Sequence, residues 1–187
     1  MSKVCKTCRT RFDPEPLGAI VCSQECAGSF AVSKRGKAEK VASIKERKAD
    51  RVKLDGMITR GQWITKAQAS FNAYIRARDA GKPCICCGRM KDSNAIGGTW
   101  DAGHFRSRGS APHLRFDERN VHAQLKFCNR YQAGNMAGYR LGLIERIGLE
   151  ALEALESDQT LRKYTLEELK AIRADYQART KELKAQA

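Results

Sequence analysis

Apolar positions recur along this chain in blocks of differing period. Over 62–78, Trp63, Ala67, Phe71, Tyr74 and Ile75 follow helical spacing, and Thr59 with Gln62 forms a capping box ahead of them. Arg76 and Arg78 fall near the C-terminal end, where the helix dipole favours positive charge. Gly81 and Pro83 stop the helix. Further on, Leu141, Ile144, Ala151, Leu152 and Leu155 predict one stripe, on a helix weakened by Gly142 and Gly148. A second helix is predicted from Thr165, capped with Glu168 and striped by Leu166, Leu169, Ile172 and Tyr176. Both stripes need cover, from each other, the central region or a second subunit. Residues 84–135 read as loop-rich, with strands expected over Thr99–Phe105 and Leu114–Phe116 and a short helix near Cys128. Over 34–53 apolar residues are few (Val41, Ile44, Val52), which predicts an exposed basic helix or a partly disordered arm.

Composition and charge sharpen this picture. Of 187 residues 42% are apolar, which excludes a wholly disordered chain, but only 7% are aromatic, so the cores are expected to be small. No apolar run approaches a membrane span. The N-terminus lacks an apolar signal segment, so a cytoplasmic location is expected and the cysteines read as metal thiolates rather than disulfides. Net charge is +14 and uneven: residues 1–140 carry 27 basic and 12 acidic side chains, residues 141–187 carry 8 and 9. Residues 34–53 alone hold nine basic and three acidic residues. Such an excess favours a polyanion, through release of its condensed counterions.

Eight cysteines fall in two sets. Cys5-x2-Cys8-x13-Cys22-x3-Cys26, with Pro14, Pro16 and Gly18 marking turns between the pairs, supplies four thiolates for a tetrahedral Zn²⁺. A segment this short needs such a staple to fold. The second set is Cys84, Cys86, Cys87 and Cys128. Cys84-x2-Cys87 before Gly88 reads as half a zinc site, Cys128 as a third ligand, and Cys86 or His122 as the fourth.

Between Trp100 and Asn135 lie all three histidines, several asparagines and five arginines. Phosphodiester cleavage needs a base for water, a cation for developing charge and donors for the phosphate. His104 suits the base, Asp101 and Asn129 offer oxygens suited to Mg²⁺ or Mn²⁺, and Arg106, Arg108, Arg115, Arg119 and Arg130 suit phosphate. The bland alternatives are a turn-capping Asp101, helix-capping asparagines and a surface His113.

The knuckle Cys84-x2-Cys87, an Asp-x-x-His segment, an Asn and then Cys-Asn together resemble the HNH (ββα-metal) endonuclease motif. The fuller string, WDAGHFRSR with LRFDERNVHAQ and CN-x4-GN, resembles the lambdoid phage NinG (Rap) family, recombination endonucleases acting on Holliday junctions and other branched DNA. The resemblance covers nearly the whole chain. It implies that His104 is the general base, that Asn120 orients its imidazole or fixes its loop, and that Asn129 and Asp101 ligate the catalytic metal. HNH motifs often place that acid directly before the histidine, where this chain has Gly103. Two further departures are Leu125, where the family carries a cysteine, and Gln132, where it tends to have lysine.

The expected fold is therefore a small, helix-rich α+β protein. Its parts are a zinc module (1–33), a basic helical arm (34–58), an HNH-like domain with its leading helix (59–140) and a C-terminal helical region (141–187). The expected function is metal-dependent nicking of branched double-stranded DNA in the bacterial host. Lys34, Arg35 and Lys37 of the arm extend the DNA contact, and a homodimer is expected to form through the near-neutral C-terminal helices. The alternative is a zinc-stabilised branched-DNA-binding or recombination-accessory protein without catalysis.

Overall fold

The computed structural model describes residues 2–15, 18–90 and 98–186; Pro16 lies outside them. The chain is a helix-rich α+β protein with two small sheets, divided into a unit Met1–Ile58 and a unit Thr59–Ala187. Among the described residues, no helix is long and apolar enough to cross a membrane.

In the first unit, β1 (Lys3–Val4) pairs antiparallel with β2 (Arg11–Phe12). The turn between them carries Cys5 and Cys8 and passes through Arg9 at φ 66°. Helix α1 (Gln24–Met57) follows, with the Ser23 side chain accepting from the Cys26 N–H as N-cap. It begins inside the cysteine segment, so one continuous helix runs through the basic stretch 34–53. None of its residues is buried, and 34 residues extend about 50 Å.

In the second unit, α2 (Arg60–Arg78) and α5 (Leu166–Ala185) both start in complete capping boxes, Thr59–Gln62 and Thr165–Glu168. The two helices pack on each other. Tyr176 of α5 meets Phe71 edge-on at 4.8 Å and lies 5.0 Å from Tyr74. Leu169 and Tyr176 are buried, so the α5 stripe is covered within the chain rather than held open for a second subunit.

At the centre, β3 (Trp100–His104) pairs antiparallel with β4 (Val121–Leu125), in a register that sets Asp101 against Gln124 and Gly103 against His122. A short π-helix, Phe127–Tyr131, follows, then α3 (Met136–Ile147) and α4 (Leu149–Ser157). The expected strand at Leu114–Phe116 does not form. Pro112–Leu114 is a 3₁₀ turn, Leu114 packs with Ala111 and Leu155, and Phe116 meets Phe71 and Tyr164 edge-on. The apolar side chains there fill core from a loop, without a ladder partner. The single C-terminal stripe also divides: Gly148, at φ 84°, ends α3 and starts α4, and Leu141 is exposed.

Helix α3 is fastened to the hairpin by Tyr139. Its hydroxyl donates to the Gly103 carbonyl (2.8 Å) and accepts from the His122 N–H (3.0 Å). Gly138 and Gly142 press α3 onto the cysteine knuckle. A Cβ at either would lie 2.1 Å from the Cys86 carbonyl oxygen or 1.9 Å from that of Ile85. The core around them joins Ile85, Phe105, Leu125, Tyr139, Leu143 and Leu152.

Candidate functional site

Two sets of four cysteine sulfurs gather within 4.8 Å of one another: Cys5, Cys8, Cys22 and Cys26, and Cys84, Cys86, Cys87 and Cys128. Zn–S bonds of about 2.3 Å place the sulfurs of a ZnS₄ tetrahedron about 3.8 Å apart. Here Cys8–Cys22, Cys22–Cys26, Cys84–Cys86 and Cys87–Cys128 lie at 3.5, 3.6, 3.5 and 3.6 Å. Both sets therefore fit zinc, and both could hold it. In the first, burial works against ionisation of Cys5, but N–H groups of Cys8, Thr7 and Cys22 outweigh it and bring its thiol to about 6. Cys26 sits in the first turn of α1, which sets its sulfur beside that of Cys22.

In the second set the structure gathers four sulfurs. Cys86 completes it, and His122 does not take part. The Leu125 N–H donates to the Cys84 sulfur (3.2 Å) and the Gln124 amide to that of Cys86 (3.2 Å), though burial still pushes the Cys86 thiol well up. The Leu125 side chain lies in the core, so four sulfurs assemble without one at position 125.

His122 belongs instead to a buried ionic cluster around Asp79, the C-cap of α2. Asp79 accepts from Arg78 at both oxygens (2.9 Å each) and from the Ala123 N–H (2.9 Å). His122 Nδ1 lies 3.6 Å and Arg146 3.5 Å from the same carboxylate. Burial alone would raise the Asp79 carboxyl. His122, Arg78 and Ala123 together hold it far below the carboxylate range. Arg146 also donates to the Pro83 carbonyl at 2.5 Å, tying the cluster to the second knuckle. Sequence reasoning missed Asp79. The signal was an acid at a helix C-terminus, where the dipole disfavours it.

His104 closes β3, largely buried, with Nε2 3.1 Å from the Arg115 carbonyl. A carbonyl only accepts, so that nitrogen carries the proton and Nδ1 is the basic one. Burial is the main cause that lowers its pKa to about 4; nearby Arg108 and Arg115 add to this, against the carbonyls of Arg115 and Ala102. The imidazole is neutral at pH 7.

Asn120 is fully buried, and among the described residues no hydrogen bond joins its side chain to the imidazole. Its side chain accepts from the Arg106 N–H (2.8 Å) and donates to the carbonyls of Arg106 (3.0 Å) and Leu114 (3.2 Å). It thereby locks the long β3–β4 connection, including the segment that presents the Arg115 carbonyl to His104.

The five arginines separate. Arg106 caps the C-terminal end of α4 through the carbonyls of Leu155 and Asp158. Arg119 pairs with Asp117 through two bonds, and Arg130 pairs with both oxygens of Asp101 (2.8 and 3.0 Å). Among the described residues, Arg108 and Arg115 pair with no carboxylate. Burial lowers the Arg115 pKa and the charge of Arg108 adds to this, and both arginines stand near His104. Lys34, Arg35 and Lys37 are exposed on α1.

Asp101 and Asn129 do meet: the Asn129 amide donates to Asp101 at 3.0 Å. Burial opposes ionisation of Asp101, but Arg130 and Asn129 outweigh it and keep the carboxyl below its usual range. A hard carboxylate and an amide oxygen suit Mg²⁺, which takes few protein ligands and keeps its waters. Successive strand side chains alternate, so Asp101 and His104, three residues apart, leave β3 on opposite faces. Among the described residues no hydrogen bond joins them.

The sequence profile of a family described as Bacteriophage Lambda NinG protein matches residues 1–186. A protein named ninG from Salmonella phage P22 is 42% identical over 188 residues, covering 95% of this chain and 90% of that relative. Its namesake from Escherichia phage lambda is 40% identical with the same coverage. That of Escherichia phage 933W is 39% identical over 191 residues, covering 96% and 92%. No solved structure matches the chain. On a match that runs from the first cysteines through the last helix, the chain belongs to the NinG family of lambdoid phages.

Proposed function

We propose that this protein is a metal-dependent, structure-selective DNA endonuclease of the HNH type that nicks Holliday junctions and related branched recombination intermediates. The observation that carries the reading is His104. It is neutral, oriented through Nε2 by the Arg115 carbonyl, and set beside two arginines without carboxylate partners, on a hairpin whose connection Asn120 locks. A phosphate seated against Arg108 and Arg115 would bring its negative charge to the imidazole and favour proton uptake there. His104 Nδ1 then takes a proton from the attacking water.

Asp101 and Asn129 would hold a divalent cation, which when bound supplies positive charge to the DNA backbone. Arg130 now occupies Asp101, so cation and guanidinium compete for one carboxylate. The zinc clusters are structural in this reading. Phosphate contacts carry little sequence information, so selectivity comes from branch shape. Two nicks across a four-way junction call for two active sites and hence a symmetric dimer.

The second reading, a branched-DNA-binding protein without catalysis, draws on that Arg130–Asp101 pair and on the opposite faces of Asp101 and His104. Replacing Asn129 by Ala separates the two. The endonuclease reading expects loss of Mg²⁺- or Mn²⁺-dependent nicking with junction binding kept. Nicking at the parent rate would remove Asn129 from the metal site.

A further inference from the structure

The π-helix that carries Asn129 and Arg130 also carries two rings that the core does not use. Phe127 is 53% exposed and Tyr131 78% exposed, although all five residues of the preceding strand are buried. Their ring centroids lie 6.2 Å apart, tilted by 36°. The polypeptide then passes through three consecutive positive-φ residues, Ala133 (47°), Gly134 (81°) and Asn135 (44°). Two of these are not glycine, so the turn holds a conformation that costs energy. It is fixed by the Gly134 N–H to the Cys128 carbonyl (3.0 Å) and the Asn135 amide to the Cys86 carbonyl (3.2 Å). Both anchors belong to the second cysteine cluster. The rings therefore stand on a braced support, half or more exposed to water.

From this we infer that Phe127 and Tyr131 form a stacking site for nucleobases unpaired or unstacked at a DNA branch point. The inference rests on the endonuclease reading and adds to it the element that distinguishes branch from duplex. The charge pattern selects the occupant. Basic residues are interleaved with the rings in Lys126-Phe127-Cys128-Asn129-Arg130-Tyr131, and Arg130, though paired with Asp101, keeps more than half of its side chain in water, which suits a base carried on a phosphate backbone. An intact duplex hides its base faces within the stack, so the rings find π-surface only where stacking is interrupted. Asp101 lies within hydrogen-bonding distance of Asn129 and Arg130 on the same short helix. A base held there places the adjoining backbone at the proposed metal site.

The test compares the full-length protein with Phe127→Ala/Tyr131→Ala and with the aromatic-conserving Phe127→Tyr/Tyr131→Phe. Affinity is measured by fluorescence anisotropy for a four-way junction and for linear duplex of matched length, in EDTA. Zinc content and circular dichroism establish that each variant is folded. The inference expects the junction-to-duplex affinity ratio to fall at least about 10-fold in the alanine variant and to hold in the conservative one. An unchanged ratio in the folded alanine variant overturns the stacking site and leaves the endonuclease reading standing. A parent protein that binds junction no better than duplex overturns both. A ratio lost equally in both variants also overturns stacking, since rings remain in the second.

Discussion

At the residue scale, burial of titratable groups sets an acid limit on this fold. His104 is held neutral with its pKa lowered to about 4, and burial lowers His122 as well. Between the unfolded value near 6.5 and the folded value, the unfolded chain binds the extra proton, so stability falls as pH falls through that window. For His104 the gap corresponds to about 3 kcal/mol. Asp79 acts in the same sense at lower pH. Its depressed carboxyl contributes stability above about pH 4, lost as the unfolded state takes up protons below that. Stability of the parent in urea unfolding is expected to fall steeply from pH 7 to 4.5, and His104→Asn to remove about 2.5 kcal/mol of that fall. A parallel slope in the variant would show that His104 is not buried neutral. The division of arginines into Arg106, Arg119 and Arg130, which hold the protein to itself, and Arg108 and Arg115, which face His104, is invisible in sequence. Nothing local marks a partner tens of residues away, such as the Leu155 and Asp158 carbonyls that take up Arg106.

At the scale of elements, what was legible was local. Both capping boxes and the α2 and α5 stripes follow from residues within one or two turns, and the first cysteine set and three members of the second follow from spacing, whereas the choice of Cys86 over His122 does not. What was not legible depends on partners far away in sequence. Strand β4 reads VHAQL, and all five residues are buried, so its polar positions hide the alternation of a strand. His122 is satisfied by Arg78 and the Arg119 carbonyl, and Gln124 by the Gly134 carbonyl and Cys86, none of them neighbours on the strand. Gly142 reads as a weak point in a helix, yet it is the contact that lets α3 reach the Ile85 backbone. Replacing Gly142 by Ala sets a methyl 1.9 Å from that carbonyl, and relief requires moving α3 or the knuckle. The expected cost is about 2–3 kcal/mol, with bound zinc falling from two ions per chain toward one while the N-terminal cluster stays loaded. Zinc stoichiometry by metal-release titration checks this. Two ions retained with unchanged stability would mean that the helix and knuckle are not in contact.

At the scale of the molecule, the most densely basic segment and the proposed site fall in separate units. The basic helix α1 buries none of its own residues and lies in the unit Met1–Ile58, whereas His104, Asp101 and Asn129 lie in Thr59–Ala187. The first unit is held by four sulfurs and a two-stranded sheet, the second by an apolar core. Lys34, Arg35 and Lys37 are expected to act on affinity through counterion release alone. Changing all three to Ala should lower the slope of log affinity against log salt by about 3, for junction and duplex alike. An unchanged slope would take the arm off the DNA.

The central claim is that His104 performs phosphodiester cleavage on branched DNA. Its most direct test is single-turnover nicking of an end-labelled four-way junction beside matched linear duplex, with Mg²⁺, Mn²⁺ or EDTA, by the parent and by a folded, zinc-loaded His104→Ala protein. The account predicts metal-dependent nicks in the junction, few in the duplex, and loss of at least about 100-fold in rate for the variant. Tight junction binding by both proteins with no nicking under any metal would contradict it.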